Sequence, residues 1–412
     1  MGNSDLINHR GTGNEEIHST HAFLLQAAES LHRYGTPAFR LEGVMEKVAS
    51  SLEVPSVFLY TPTALVVELG EGAERSTYVR RVESTDIDIS KILAVDETLE
   101  ALEAGRNTVA QSTQLLNSIE QQGPAFSLFI SVWAAAVACG GIAIIFGGNI
   151  LDVLVASAFG LAIEWATCKF GRASHRGFQE TVLGFAVATS AVAVSRLIPI
   201  NDRLITLAAL ILPIPGLTIT IALTELTLKH LSSGSARLAG AMITLFTLVV
   251  GVAIAWRVTS SWRVPAPIPG EALPWWCLWL AVGLTPIAFA VVFRAPVSQW
   301  PAILAVVVIA FSVSRWIGSF AGSELGAFAG ALSVGCASNA YARWKNRPAM
   351  ITQTPGLLIL VPGAVGYASL TAMIENDTLR GIELAFSMAT IGVALVGGLL
   401  LANQLISPRR IL

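Results

Sequence analysis

The sequence predicts an α-helical polytopic membrane protein: ten transmembrane helices as two five-helix inverted repeats, with a small N-terminal α+β soluble domain. Three observations carry this. The 412 residues are 53% hydrophobic and only 13% charged, and the mean hydropathy is +0.64, which is too apolar for one soluble globule. Ten apolar segments, several with few charges over roughly 20 residues, have the length needed to span a bilayer. The apolar run over 204–226 is interrupted by Leu212-Pro213-Ile214-Pro215-Gly216-Leu217-Thr218, and Leu360-Val361-Pro362-Gly363 interrupts another run 147 residues later. Each proline removes a backbone donor and clashes with the preceding turn, so neither run continues as a regular helix. Lipid tolerates such backbone only where protein or a cavity covers it. Broken helices at matching places in two halves point to a transport site.

Residues 1–16 are polar, lack the apolar core of a signal peptide and are read as disordered. The soluble domain occupies 17–122. Apolar positions Phe23, Leu24, Ala27, Leu31 and Tyr34 have helical spacing over 18–34. Gly35 suits a left-handed helix stop. Thr36-Pro37 reads as an N-cap followed by proline at the first helical position. Leu41, Val44, Met45, Val48 and Leu52 mark the next helix. Strands are expected over 56–60, 64–69 and 77–82, and helices over 89–104 and 108–119. The four cysteines all fall in apolar segments without metal-type spacing and read as small core residues.

Tyr34-Gly35-Thr36-Pro37-Ala38-Phe39-Arg40-Leu41-Glu42 resembles the Gly-x-Pro-x-x-Arg-x-Glu signature that opens the soluble domain of threonine/serine exporters. Phe58-Leu59-Tyr60-Thr61-Pro62 continues the likeness. Gly147-Gly148 with Asp152 resembles the start of that family's second span, and Pro213 to Leu217, Gly234 and Arg237 its fourth and fifth. Leu360-Val361-Pro362-Gly363 resembles the small membrane subunit of two-component relatives, so the chain looks like both components fused. The resemblance implies export of small hydroxy amino acids, threonine and serine, by proton antiport.

The spans are placed at 126–146, 149–170, 178–197, 203–229, 235–257, 274–293, 297–317, 322–344, 351–374 and 380–405. The first repeat covers 123–257 and the second 274–412, with a Pro-rich linker at 258–273. The 147-residue offset pairs Phe146 with Phe293, Gly171 with Gly318, Arg196 with Arg343, Pro215 with Pro362 and Gly234 with Gly381. An odd number of spans per repeat inserts the second upside down, as in many secondary transporters. The Lys and Arg bias of the loops puts the soluble domain and the C-terminus in the cytoplasm, and the bacterial cytoplasmic (plasma) membrane is the expected location. Trp256, Trp262, Trp275, Trp276, Trp300, Trp316 and Trp344 read as interface anchors.

Candidate substrate-binding residues are Pro213, Pro215, Gly216, Leu217, Thr218, Pro362 and Gly363. A half-helix N-terminus exposes N–H donors and partial positive charge, so backbone at 216–218 suits a carboxylate, and opened carbonyls near Leu212 and Ile214 suit an ammonium group. The hydroxyls of Thr218, Thr220 and Thr224 are alternatively bonded back to helix carbonyls. Asp152, Ala156, Gly160 and Glu164 recur every four residues on one face of the second span. A carboxylate in a membrane helix requires a cavity or a partner. Glu164, the deeper, is the candidate proton carrier, with Asp152 as its support or gate, or as a helix cap, and Glu225 next in line. Arg237 and Arg315 read as interfacial charges. In the soluble-domain motif (Gly35, Pro37, Arg40, Glu42), Arg40 and Glu42 read as a fold-holding ion pair or a solvated face.

No catalytic constellation, metal site or nucleotide motif is present in the sequence, so no cofactor is expected and the protein is not expected to be an enzyme. The expected partners are the small-molecule substrate (threonine, serine), protons and the lipid bilayer, with no nucleic acid and with a homo-oligomer left open. Two alternatives stand beside threonine/serine export. One is a dicarboxylate exporter of the succinate type, for which a dianion would want buried cations beyond the broken helices. The other is a membrane-anchored hydrolase using the soluble domain.

Overall fold

The computed structural model describes residues 4–72, 75–82, 87–170, 176–262 and 273–408. Most of the Pro-rich linker at 258–273, Gly171 of the Gly171–Gly318 pair and the first three residues lie outside them.

The N-terminal layer contains α1 (Ser4–Arg33), α2 (Ala38–Ser51), β1 (Ser56–Thr61), β2 (Ala64–Leu69), β3 (Ser76–Arg81), α3 (Ile89–Glu103) and α4 (Val109–Gln121). The helix expected over 18–34 is the second half of the longer α1. The strands form an antiparallel meander in the order β1-β2-β3, with Tyr60 opposite Leu65 and Leu59, Val66 and Val79 aligned across it. Alternate strand residues Phe58, Tyr60, Leu65, Val67 and Leu69 turn inward onto Phe23, Leu31, Leu41 and Met45, the period-2 pattern of a half-buried sheet. Gly35 adopts φ +89° after α1, as its sequence position predicts.

Thr36 is not the N-cap of α2. Pro37 takes that position without a side-chain bond, and the Thr36 hydroxyl is buried with no hydrogen-bond partner. The first N–H of α2 is satisfied from a distant helix, so no local cap is needed.

The apolar part contains α5 (Leu128–Ile145), α6 (Ile150–Phe170), α7 (Arg176–Ser195), α8 (Asp202–Ala209), α9 (Gly216–Thr227) and α10 (Leu231–Val258). It continues with α11 (Trp275–Val292), α12 (Trp300–Ala321), α13 (Ser323–Lys345), α14 (Met350–Leu358), α15 (Gly363–Ile374) and α16 (Thr378–Leu405). Among the described residues, eight helical stretches are long and apolar enough to cross a membrane. The expected ten are not reached on that measure, for two physical reasons. The fourth segment is split into pieces of 8 and 12 residues. The 23-residue α13 is rich in Gly, Ala and Ser and carries Glu324, Arg343 and Lys345. Trp275, Trp276, Trp316 and Trp344 stay exposed, whereas Trp256 packs inward on the core and Trp300 donates its Nε1–H to the Ala295 carbonyl at 3.1 Å.

Backbone features recur at the 147-residue spacing. Both ends of α5 and α11, of α9 and α15, and of α10 and α16 are related by it. So are two pairs of positive-φ residues, Gly147 with Arg294 and Lys229 with Asn376. The close helix crossings repeat as well. A Cβ on Gly251 of α10 would strike the Thr181 carbonyl of α7, and one on Gly398 of α16 would strike the Phe328 carbonyl of α13, residues that again differ by 147.

At Gly240 of α10 a Cβ would meet nothing within 4 Å. Gly→Ala in a helix interior gains up to about 1 kcal/mol of propensity, while overpacking costs about 1–3 kcal/mol. Gly251→Ala and Gly398→Ala should therefore lower the melting temperature in detergent, and Gly240→Ala should leave it unchanged or raise it. Equal effects at all three positions would contradict this packing.

Candidate functional site

The breaks fall where the prolines require them. After α8 the chain turns through 210–215, with Ile214 N–H donating to the Leu210 carbonyl at 3.0 Å and Gly216 N–H to the Ile214 carbonyl at 2.9 Å. Pro215 (φ −80°, ψ 40°) is the N-cap of α9, and Pro362 (φ −79°, ψ 10°) is the N-cap of α15; neither cap is supported by a side chain. The two half-helices meet at these ends. A Cβ on Gly216 would lie 3.1 Å from the Gly363 nitrogen, and one on Gly363 would lie 2.8 Å from the Gly216 Cα. Only glycine at both positions lets the two backbones touch. The first-turn N–H groups of each half-helix have no acceptor within it, so two positive dipole ends face one point. Thr218 sits in the first turn of α9. Thr220 donates to the Gly216 carbonyl at 3.2 Å and Thr224 to the Thr220 carbonyl at 2.8 Å, the back-bonding pattern expected of such threonines.

Glu225, about two and a half turns along α9 from Gly216, is 0% exposed. One carboxylate oxygen accepts from the Ala38 N–H at 3.0 Å, and thus caps α2 of the soluble domain. The other accepts from Ser233 Oγ at 2.8 Å and from Arg237 Nε at 3.1 Å. Arg237 is therefore not an interfacial charge; its side chain is 15% exposed because it is the counter-ion of this carboxylate. Tyr60 packs against Arg237, and the Tyr60 hydroxyl meets His32 Nδ1. Burial holds His32 down to about 4, with the Arg237 charge contributing, so the ring is neutral at pH 7.

Arg40 and Glu42 do not pair with each other. Arg40 donates through Nη2 to Gln353 Oε1 of α14, and Glu42 meets His230 Nδ1 at 3.2 Å, in the turn between α9 and α10. Desolvation raises the Glu42 pKa. The soluble-domain motif is thus a docking edge on the broken helices. A cavity of about 50 Å³ lies at this seam, lined by Pro37, Arg40, Leu217, Thr220, Thr224 and Gln353 among others. A larger cavity, about 200 Å³, lies between α1 and β3, lined by His18, Gln26, Tyr78 and Arg80, away from the breaks.

Asp152 acts as a double cap. It accepts from Asn149 N–H at 3.0 Å at the start of α6 and from Asn201 N–H at 2.8 Å at the start of α8. Glu164 is half-buried and accepts from Cys168 Sγ at 3.4 Å; it does not line the seam cavity. Gly160, one turn before it, lies against the Ala135 carbonyl and Cys139 of α5, so a helix and not water fills that part of the face. Among the described residues no group of three or more His, Cys, Asp or Glu could hold a metal ion.

Comparison with known proteins agrees with the order of these motifs. Residues 22–259 match the family described as "Putative threonine/serine exporter", and residues 279–405 match "Threonine/Serine exporter, ThrE". The chain belongs to the threonine/serine exporter family. It is similar to the threonine/serine exporter of Corynebacterium glutamicum, 23% identical over 79% of this chain and 70% of that protein. The "Probable threonine/serine exporter" of Mycobacterium tuberculosis is 21% identical over 81% and 66%. Pheromone-regulated membrane protein 10 of Eremothecium gossypii is 24% identical over 86% of this chain and 49% of that protein. The chain spans about half the length of the fungal relatives it matches or less. No solved structure matches it.

The Glu225–Arg237 pair and the Arg40 and Glu42 partners escaped sequence reasoning, because they join residues up to 313 positions apart. Removing one member of a buried pair strands the other charge at about 3–5 kcal/mol. Glu225→Ala should therefore destabilise strongly. Glu225→Ala with Arg237→Leu, which copies the residues one repeat away (Ala372 and Leu384), should recover part of the loss in thermal unfolding. A double variant no more stable than the single one would show that the pair carries no such coupling.

Proposed function

We propose that this protein is a secondary active exporter of small hydroxy amino acids, threonine and serine, across the cytoplasmic membrane, driven by proton antiport. The meeting of the α9 and α15 N-termini at Gly216 and Gly363 carries this reading. In it the free N–H groups at 217–218 and at the start of α15 receive the substrate carboxylate, and the carbonyls opened near Leu212 and Ile214 receive the ammonium group. Family membership supports the substrate class.

The membrane part is read as ten segments in two inverted five-segment repeats, 123–257 and 274–412, the shortest two crossings being the broken ones. The recurring helix bounds, positive-φ sites and glycine crossings support it. The soluble domain (17–122) is read as cytoplasmic. It binds the turns after α9, α11 and α13 through Glu42–His230, Asp88–Arg294 and Glu97–Arg347, which supports a single side for all three. For coupling, Asp152 and Glu225 hold backbone amides and a guanidinium that protonation would release. Glu164 is held by a thiol and is the proton carrier in this reading.

Counterflow in proteoliposomes with labelled threonine, serine, succinate and alanine tests it. Threonine and serine should exchange. Gly216→Val and Gly363→Val should each cut the rate by about tenfold or more, as displaced reacting geometry does elsewhere. Exchange of succinate alone, or wild-type rates in both glycine variants, would overturn the site. Glu164→Gln should abolish accumulation driven by a proton gradient and leave exchange measurable; continued accumulation would remove Glu164 from the mechanism.

A further inference from the structure

Arg40 presents an unanswered charge. Its Nη2 is taken by Gln353, but its Nη1 is enclosed and has no hydrogen-bond partner. Among the described residues, Arg40 forms no ion pair. The Phe39 ring lies 5.7 Å from the guanidinium carbon. Desolvation by burial draws its pKa down to about 10, so it remains charged at neutral pH. A partly buried guanidinium with an enclosed, unpaired nitrogen is expensive, and Gln353 answers one of its five donors.

The position of that charge is informative. Arg40 lines the seam cavity together with Leu217, Thr220 and Thr224 of α9 and with Gln353 and Thr354 of α14. Leu217 is the residue after Gly216, so the cavity begins where the half-helix N-terminus ends. Its volume of about 50 Å³ suits a small group rather than a large ligand, since a bound water needs at least about 10–15 Å³. Apolar residues on one side and the Arg40 guanidinium on the other match a carboxylate on a short carbon chain.

We infer that Arg40 is the substrate-carboxylate anchor on the domain side of the break, and that the soluble domain supplies this part of the binding site. The inference rests on the transport reading above and deepens it. Glu225 holds the first residue of α2 at 3.0 Å, and Arg40, two residues further on, lies against the α9 face formed by Leu217, Thr220 and Thr224. The cation is the one that a pair of helix ends in an apolar run lacks.

Thermal-shift titration of purified full-length protein tests it, with threonine, serine, succinate and threoninol, which is threonine with its carboxylate reduced to an alcohol. The wild type should be stabilised by threonine and serine and not by threoninol. Arg40→Gln should need at least about tenfold more threonine for the same shift, equal to about 1.4 kcal/mol, and Arg40→Lys should fall between. Without ligand, Arg40→Gln and Arg40→Met should melt at or above the wild-type temperature, because each removes an uncompensated charge. A purely structural Arg40 would instead lower it in both. A wild-type response to threonine in Arg40→Gln, or no response of the wild type to any carboxylate, overturns the assignment. Arg40-dependent stabilisation by succinate alone would keep the carboxylate site and overturn the threonine/serine reading.

Discussion

A carboxylate with no exposure to solvent has to be satisfied by protein, and Glu225 is satisfied from three directions. Arg237 and Ser233 come from the next helix and bend the α9–α10 connection back on itself. The third donor, the Ala38 N–H, comes from the soluble domain. That bond replaces the local cap that Pro37 cannot provide, so the start of α2 is fixed by α9. Arg40 and Glu42 follow within one turn and reach α14 and the α9–α10 turn. The orientation of the domain on the broken helices thus depends on satisfying one buried charge.

The two halves share backbone and differ in side chains. Gly251 and Gly398 make equivalent crossings, and Lys229 and Asn376 make equivalent left-handed turns. The ion pair has no equivalent, since its mates are Ala372 and Leu384. A buried pair and a well-packed apolar pair can be interchanged with little loss of stability. What distinguishes the first half is the domain, whose helix end needs an acceptor. The far half has no such helix to hold, and it uses apolar residues.

What was legible in the sequence was local. Alternation gave the strands, Gly35 the left-handed stop, and Pro213, Pro215, Gly216, Pro362 and Gly363 the breaks, because each rests on backbone chemistry within a few residues. The domain interface was not legible. Arg40 and Glu42 stand two apart and carry opposite charges, which suggested each other as partners. Their actual partners, Gln353 and His230, lie in other elements and no spacing rule reaches them. Asp152 was legible only as a choice between cap and gate, and its second amide, from Asn201, depends on how α6 and α8 lie together. Fewer than ten helices were long and apolar enough to span because prolines split the fourth segment and α13 is rich in Gly, Ala and Ser with charges at its ends.

The soluble domain grips turns from both halves: His230 from the first, and Arg294, Asn346 and Arg347 from the second. Rocking of one half against the other would stretch this grip like a tie-bar across a hinge. Apart from the buried Glu225 and Asp88, these contacts are partly exposed polar pairs, each worth about 0–1 kcal/mol and screened by salt. Such a bar would be weak link by link and elastic as a whole, and the ionic strength on the domain side would then throttle any swing of the halves.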